Sequence, residues 1–188
     1  MKEKDIKEGF TIVEVALVLA IAGLIFLMAF IAVPAVQRTQ RDARRRDDIG
    51  TVLTAIQKYQ NNNRGALPSG DGLVPAETEP GTGNSNDWTS FYNSFLGNNF
   101  MDPIGFQYHL NIVDCDSSSI GAECGSTAGV DEATFGVDED EGGIPAYTMY
   151  VVKSAACDGS SAIESGNPRK VAVVYKMEGA GAYCANLQ

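Results

Sequence analysis

Residues 9–36 read GFTIVEVALVLAIAGLIFLMAFIAVPAV, and this stretch decides the architecture. From Phe10 to Val36 the chain is predominantly apolar, and Glu14 is its only charge. A bilayer hydrocarbon core about 30 Å thick needs about 20 apolar residues in helix, so the stretch spans with length to spare. A carboxylate inside such a span costs a few kcal/mol, which makes Glu14 a functional candidate by default. Gly23 and Pro34 interrupt the run, and Pro34 removes one helical hydrogen bond, so both are expected to mark a break or kink. The nine residues before Phe10, MKEKDIKEG, form a short, charged and polar segment, which is the pattern of a leader rather than of structure.

Charge is distributed in blocks. Residues 10–36 carry only Glu14, whereas residues 37–64 carry seven basic and three acidic groups. Residues 65–188 carry four basic and 17 acidic groups, and the whole chain has a formal net charge of −10. A basic collar thus joins an apolar stalk to an acidic head. The head would repel phosphates, which argues against nucleic-acid binding by that part of the chain. The collar, with Arg38, Arg41, Arg44, Arg45 and Arg46, suits lipid head groups or the acidic faces of neighbouring copies, and Asp42, Asp47 and Asp48 offer it local partners.

The helical pattern continues beyond the span. Ile49, Val52, Leu53, Ile56 and Tyr59 form one helical stripe, and Asn61, Asn62, Asn63 and Gly65 supply a stop. A single helix is expected from Phe10 to about Asn63, roughly 80 Å at 1.5 Å per residue. Its first part, 10–36, is apolar all round and its second, 37–64, is amphipathic. In residues 65–103 the segment DWTSFYNSFL is the one short helical candidate. Phe106 to Val113, Tyr147 to Lys153 and Lys170 to Met177 read as strands, separated by turn-rich segments at 114–146 and 154–169. The expected class is α+β: a long helix laid against an antiparallel sheet built by the head, residues 65–188.

Four cysteines fall in the polar part, and an even count beyond a membrane segment suggests disulfides in an oxidising compartment. Three pairings are open to them. Cys115–Cys124 brackets a short loop and Cys157–Cys184 a hairpin-like segment, which favours that pairing over the others and over free buried thiols. The arginines after the span would favour a cytoplasmic head by the positive-inside tendency. The cysteines favour the opposite side.

Gly9-Phe10-Thr11-Ile12-Val13-Glu14, following a short charged leader and preceding an unbroken apolar helix, resembles the class III signal of type IV pilins and pseudopilins. The resemblance covers residues 1 to about 64. It implies that a prepilin peptidase cuts between Gly9 and Phe10 and that Phe10 becomes an N-methylated amino terminus. It also implies a single-pass membrane protein with an extracytoplasmic head before assembly, and an extracellular filament of identical subunits after it, built by an inner-membrane assembly platform. Leu67-Pro68 and Asp102-Pro103-Ile104-Gly105-Phe106-Gln107-Tyr108 are similar to the loop and turn of pseudopilins, and a late pair such as Cys157 and Cys184 resembles the disulfide-bounded loop of major pilins.

In this frame Glu14 balances the new amine of Phe10, because a buried ion pair is costly to break by removing one partner. The filament then serves adhesion, motility or DNA uptake. The alternatives are a pseudopilin of a type II secretion system and a lone membrane-anchored binding domain. The acidic run with Asp131, Glu132, Asp138, Glu139, Asp140 and Glu141 offers hard oxygen ligands that suit Ca²⁺, without an EF-hand pattern; no other cofactor is implied. His109 is the only histidine and lies in a strand candidate, and no phosphate loop or nucleophile elbow is present, so the sequence points away from an enzyme.

Overall fold

Helix α1 runs from Ile12 to Asn62 without interruption. Its start is set by Thr11 and Glu14 and its end by a Schellman-type closure. There the N–H of Gly65 reaches the carbonyl of Gln60 at 2.7 Å, with Arg64 (φ 56°) and Gly65 (φ 83°) in the left-handed region. The computed structural model describes residues 9–74, 87–97, 99–115, 124, 147–179 and 181–187. The helix is continuous through Gly23 and Pro34, as the single helix expected from Phe10 to about Asn63 requires. A glycine costs only about 1 kcal/mol in a helix, and Pro34 forfeits a single backbone bond that a long helix tolerates.

The chain divides into two units, Met1–Gln40 and Arg41–Gln188. In the first unit every large apolar side chain from Phe10 to Val36 is exposed, from 49% at Val15 to 89% at Phe10. This is a helix long and apolar enough to cross a membrane.

The second unit is built in layers around a mixed sheet. Five strands lie in the order β1 (Gly72–Val74), β2 (His109–Asp114), β3 (Thr148–Lys153), β6 (Val171–Met177) and β7 (Gly181–Asn186). The hairpin of β4 (Ala155–Asp158) and β5 (Ser161–Glu164) forms a second, two-stranded sheet. Alternation along the strands assigns the two faces. Leu110, Ile112, Met149, Val151, Val171, Val173, Tyr175 and Met177 form one core with Ile49, Val52, Leu53, Ile56 and Tyr59 of α1. Tyr150, Val152, Ala172 and Val174 form another with Ala155, Ala162, Cys124 and Cys184. Because β3 and β6 are covered on both faces, they read as nearly continuous apolar runs, which made them visible in the sequence.

The DWTSFYNSFL segment is α2 (Trp88–Phe91) followed by a π-helical turn, Tyr92–Leu96. Asp87 caps α2, accepting the N–H of Ser90 at 2.7 Å. Phe91 and Tyr92 are buried in the core beside Tyr59, whose ring meets that of Phe91 edge-on at 5.8 Å.

The expected antiparallel sheet is instead mixed, because β2 and β3 pair in parallel from His109↔Thr148 to Asp114↔Lys153. The remaining pairs are antiparallel. A parallel pair needs a connection of about a dozen residues or more, and residues 115–147 supply it. Segment 154–169, read as a loop, contains β4 and β5; small residues such as Ala155 and Ala162 let this hairpin lie close under the sheet.

Candidate functional site

The residues that decide the start of α1 lie together. The Thr11 amide and hydroxyl donate to Glu14 Oε2 at 2.9 and 2.8 Å, and the Glu14 amide donates back to Thr11 Oγ1 at 3.3 Å. This is a capping box: both side chains satisfy amides that the first helical turn leaves without carbonyl partners. A carboxylate here also complements the positive end of the helix dipole. Phe10 is joined to Gly9 by an amide, and its ring is exposed. Glu14 therefore serves the helix start.

A second cluster joins α1 to the head, and sequence reasoning did not find it. Arg45 is 3% exposed and lies on the core stripe one turn before Ile49. Its Nε donates to Asp102 Oδ2 at 2.7 Å and its Nη2 to Asp102 Oδ1 at 3.2 Å. Nη1 donates to Asp42 Oδ1 at 3.2 Å, and Nη2 also meets Glu178 Oε1 at 2.8 Å. Arg41 grips Glu178 from the other side, with Nη2 to Oε2 at 2.6 Å and Nε to Oε1 at 2.9 Å. Asp42 accepts the amides of Glu178 and Gly179 at 2.9 and 3.1 Å, which pins the turn between β6 and β7 to the helix.

Asp102 also builds its own turn. Its Oδ1 accepts the Ile104 amide at 3.0 Å and its carbonyl accepts the Gly105 amide at 2.8 Å, with Gly105 at φ 95°. Its own amide donates to the Phe106 carbonyl at 2.7 Å, closing the turn. Tyr175 Oη lies 3.4 Å from Oδ2. All six carboxylate oxygens of Asp42, Asp102 and Glu178 thus accept from the protein. Burial is the largest single influence on Arg45 and opposes its charge, but the hydrogen bond to Asp102 together with the charges of Tyr175, Asp102 and Glu178 outweighs it, and its pKa is raised. The hydrogen bond from Arg41, helped by Arg45, holds the Glu178 carboxyl down at about 2. Such a cluster has no open coordination or proton-transfer position; chemically it is a lock.

Beside it, Tyr108 donates its hydroxyl to Asp48 Oδ2 at 2.9 Å. Burial raises the pKa of Asp48 against the lowering effect of that bond, and burial likewise raises that of Tyr108.

The disulfides join Cys115 to Cys124 and Cys157 to Cys184. The second ties β4 to the edge strand β7, and both flank the face of the sheet away from α1. The acidic residues Asp131, Glu132, Asp138, Glu139, Asp140 and Glu141 lie outside the described residues. Among the described residues no group of three or more His, Cys, Asp or Glu is placed to hold a metal ion.

Comparison with protein-family models, with curated proteins and with solved structures finds no match for this chain.

Proposed function

We propose that this chain is the structural subunit of a type IV pilus-like surface filament. The observation that carries the reading is the pairing of a capped helix whose large apolar residues from Phe10 to Val36 are all exposed with a disulfide-bonded head locked to the continuation of that same helix. An apolar surface of this extent has to be covered by lipid or by other copies. In this reading lipid covers it before assembly and neighbouring helices cover it afterwards. At about 25 cal/mol per Å² of apolar area, that burial favours a durable polymer. A prepilin peptidase cuts between Gly9 and Phe10, Phe10 is N-methylated, and an inner-membrane platform adds the subunit to its copies. Cutting frees the amine one helical turn from Glu14, and the carboxylate then balances it. The Asp102–Tyr108 turn, similar to that of pseudopilins, favours a secretion pseudopilus as the second reading; a secretin cluster or a retraction ATPase among the neighbouring genes separates the two.

Mass spectrometry of the mature amino terminus tests the proposal. An N-methylated Phe10 is expected. An uncut Met1, or a start at Val36 after an ordinary small-residue cleavage, overturns it. The Glu14→Ala chain is expected to be cut normally and to enter filaments poorly.

A further inference from the structure

The turn that Asp102 organises presents apolar side chains to solvent. Among the described residues of the second unit four large apolar residues are exposed, and three of them, Met101 (47%), Ile104 (45%) and Phe106 (56%), lie on this one turn. The turn is held rigidly. Its carboxylate is fixed by Arg45 from below, its backbone is closed at both ends, and Phe106 stacks on Tyr147 at 4.8 Å with the rings 6° from parallel. Exposed apolar residues on a preorganised turn lose little entropy on docking, which is the economical way to build a contact.

Charge selects the occupant. Residues 65–188 hold 17 acidic and four basic groups, so two heads repel wherever acid meets acid. From Trp88 to Val113 the only formal charge is Asp102, and that charge is buried and paired with Arg45. The turn itself therefore presents no unpaired formal charge. A complementary surface lies on the collar of the same chain. α1 bears an open groove of about 530 Å³ lined by Gly50, Thr51 and Thr54 together with Arg46, Asp47, Lys58 and the ring of Phe95. Beyond the adjacent residues and backbone of the helix itself, no atom lies within 4 Å of the place a Gly50 side chain would begin, so the groove is open there. Arg46 and Lys58 outnumber Asp47 at this groove, and the collar, residues 37–64, is net basic where residues 65–188 are net acidic, so the groove suits the head of a second copy, while its small-residue floor admits the apolar tip.

We infer that the Met101–Phe106 turn of one copy docks on the Arg46–Lys58 face of α1 in a second copy. Knob and groove are different surfaces of one chain, so the contact is heterologous and propagates into an open helical assembly wherever the rotation does not close. The inference rests on the filament reading and specifies one contact within it.

The test uses the full-length chain in the cells that produce it, with the photo-cross-linking residue p-benzoylphenylalanine at position 104. Irradiated filaments are expected to yield a ladder of covalent multimers whose cross-linked peptides map to residues 46–58. Filaments whose position 104 stays silent, or attaches to lipid, to another protein or elsewhere on this chain, overturn the contact alone. A parent chain that forms no filaments overturns the filament reading, and the contact with it. As a second measure, Ile104→Asp is expected to lower filament yield about tenfold, with chain level and both disulfides unchanged, while Ile104→Val keeps it. Filaments of Ile104→Asp at the parent level overturn the inference.

Discussion

Arg45 and Asp102 meet through two nitrogens and two oxygens, the shorter bond being 2.7 Å, with side-chain exposures of 3% and 0%. The pair fastens α1 to a turn 57 residues further along the chain. Removing one member leaves the other charged in a site closed to water, which typically costs about 3–5 kcal/mol. Arg45→Ala and Asp102→Ala are each expected to destabilise the chain by that amount. Arg45→Met combined with Asp102→Leu is expected to recover much of the loss, since an apolar pair leaves no orphan charge. Urea denaturation in detergent, followed by the fluorescence of the single tryptophan, the buried Trp88, reads both outcomes.

Glu178 tests the same lock through pH. Its carboxyl sits at about 2, below the ordinary 4.5, because Arg41 and then Arg45 hold it ionised. The unfolded chain binds that proton more readily, so the contribution is complete above about pH 4.5 and disappears as pH falls toward 2. Glu178→Gln is expected to melt lower than the parent at pH 7, with the two melting curves converging between pH 4.5 and 2. Added salt narrows the gap at pH 7, since the pair is partly exposed.

Asp48 carries the opposite sign. Burial raises its pKa above the ordinary 3.8, so the folded chain holds this proton more tightly than the unfolded one. Its contribution is most favourable at low pH and declines as pH climbs from 3.8 through the raised folded value. An amide in its place still accepts the Tyr108 hydroxyl without a charge to desolvate. Asp48→Asn is expected to melt close to the parent at pH 3 and above it at pH 7, by calorimetry of the detergent-solubilised chain.

The parts of the fold legible in the sequence are those with a strong period or composition. The α1 pattern shows as an apolar run followed by the Ile49–Tyr59 stripe, and β3 and β6 show because they are buried on both faces. The parallel pairing of β2 with β3 left no mark, since pairing direction depends on a connection rather than on strand composition. The lock was half visible: stepping the stripe back from Ile49 by one turn lands on Arg45, a charge in a core phase. Its partner Asp102 is the only charge in a neutral stretch of 26 residues, Trp88 to Val113. Neither feature alone specifies the other, because the contact spans 57 positions and is made by the tertiary fold.

The two disulfides are expected to differ in worth. In the chain-entropy view a cross-link stabilises by limiting the unfolded chain, and the effect grows with the logarithm of the loop it closes. Cys115–Cys124 closes 9 residues and Cys157–Cys184 closes 27. That scaling gives about 2.5 kcal/mol for the first and about 3.5 kcal/mol for the second. The longer loop also ties edge strand β7 to the β4–β5 hairpin, so its removal frees a sheet edge that is then open to mispairing. Replacing Cys157 and Cys184 together by alanine is therefore expected to lower stability by about 1 kcal/mol more than replacing Cys115 and Cys124. It is also expected to be the variant that aggregates on heating. Denaturation of the two double variants side by side, with light scattering during thermal ramps, checks both statements; equal losses would show that loop length is not what sets their worth.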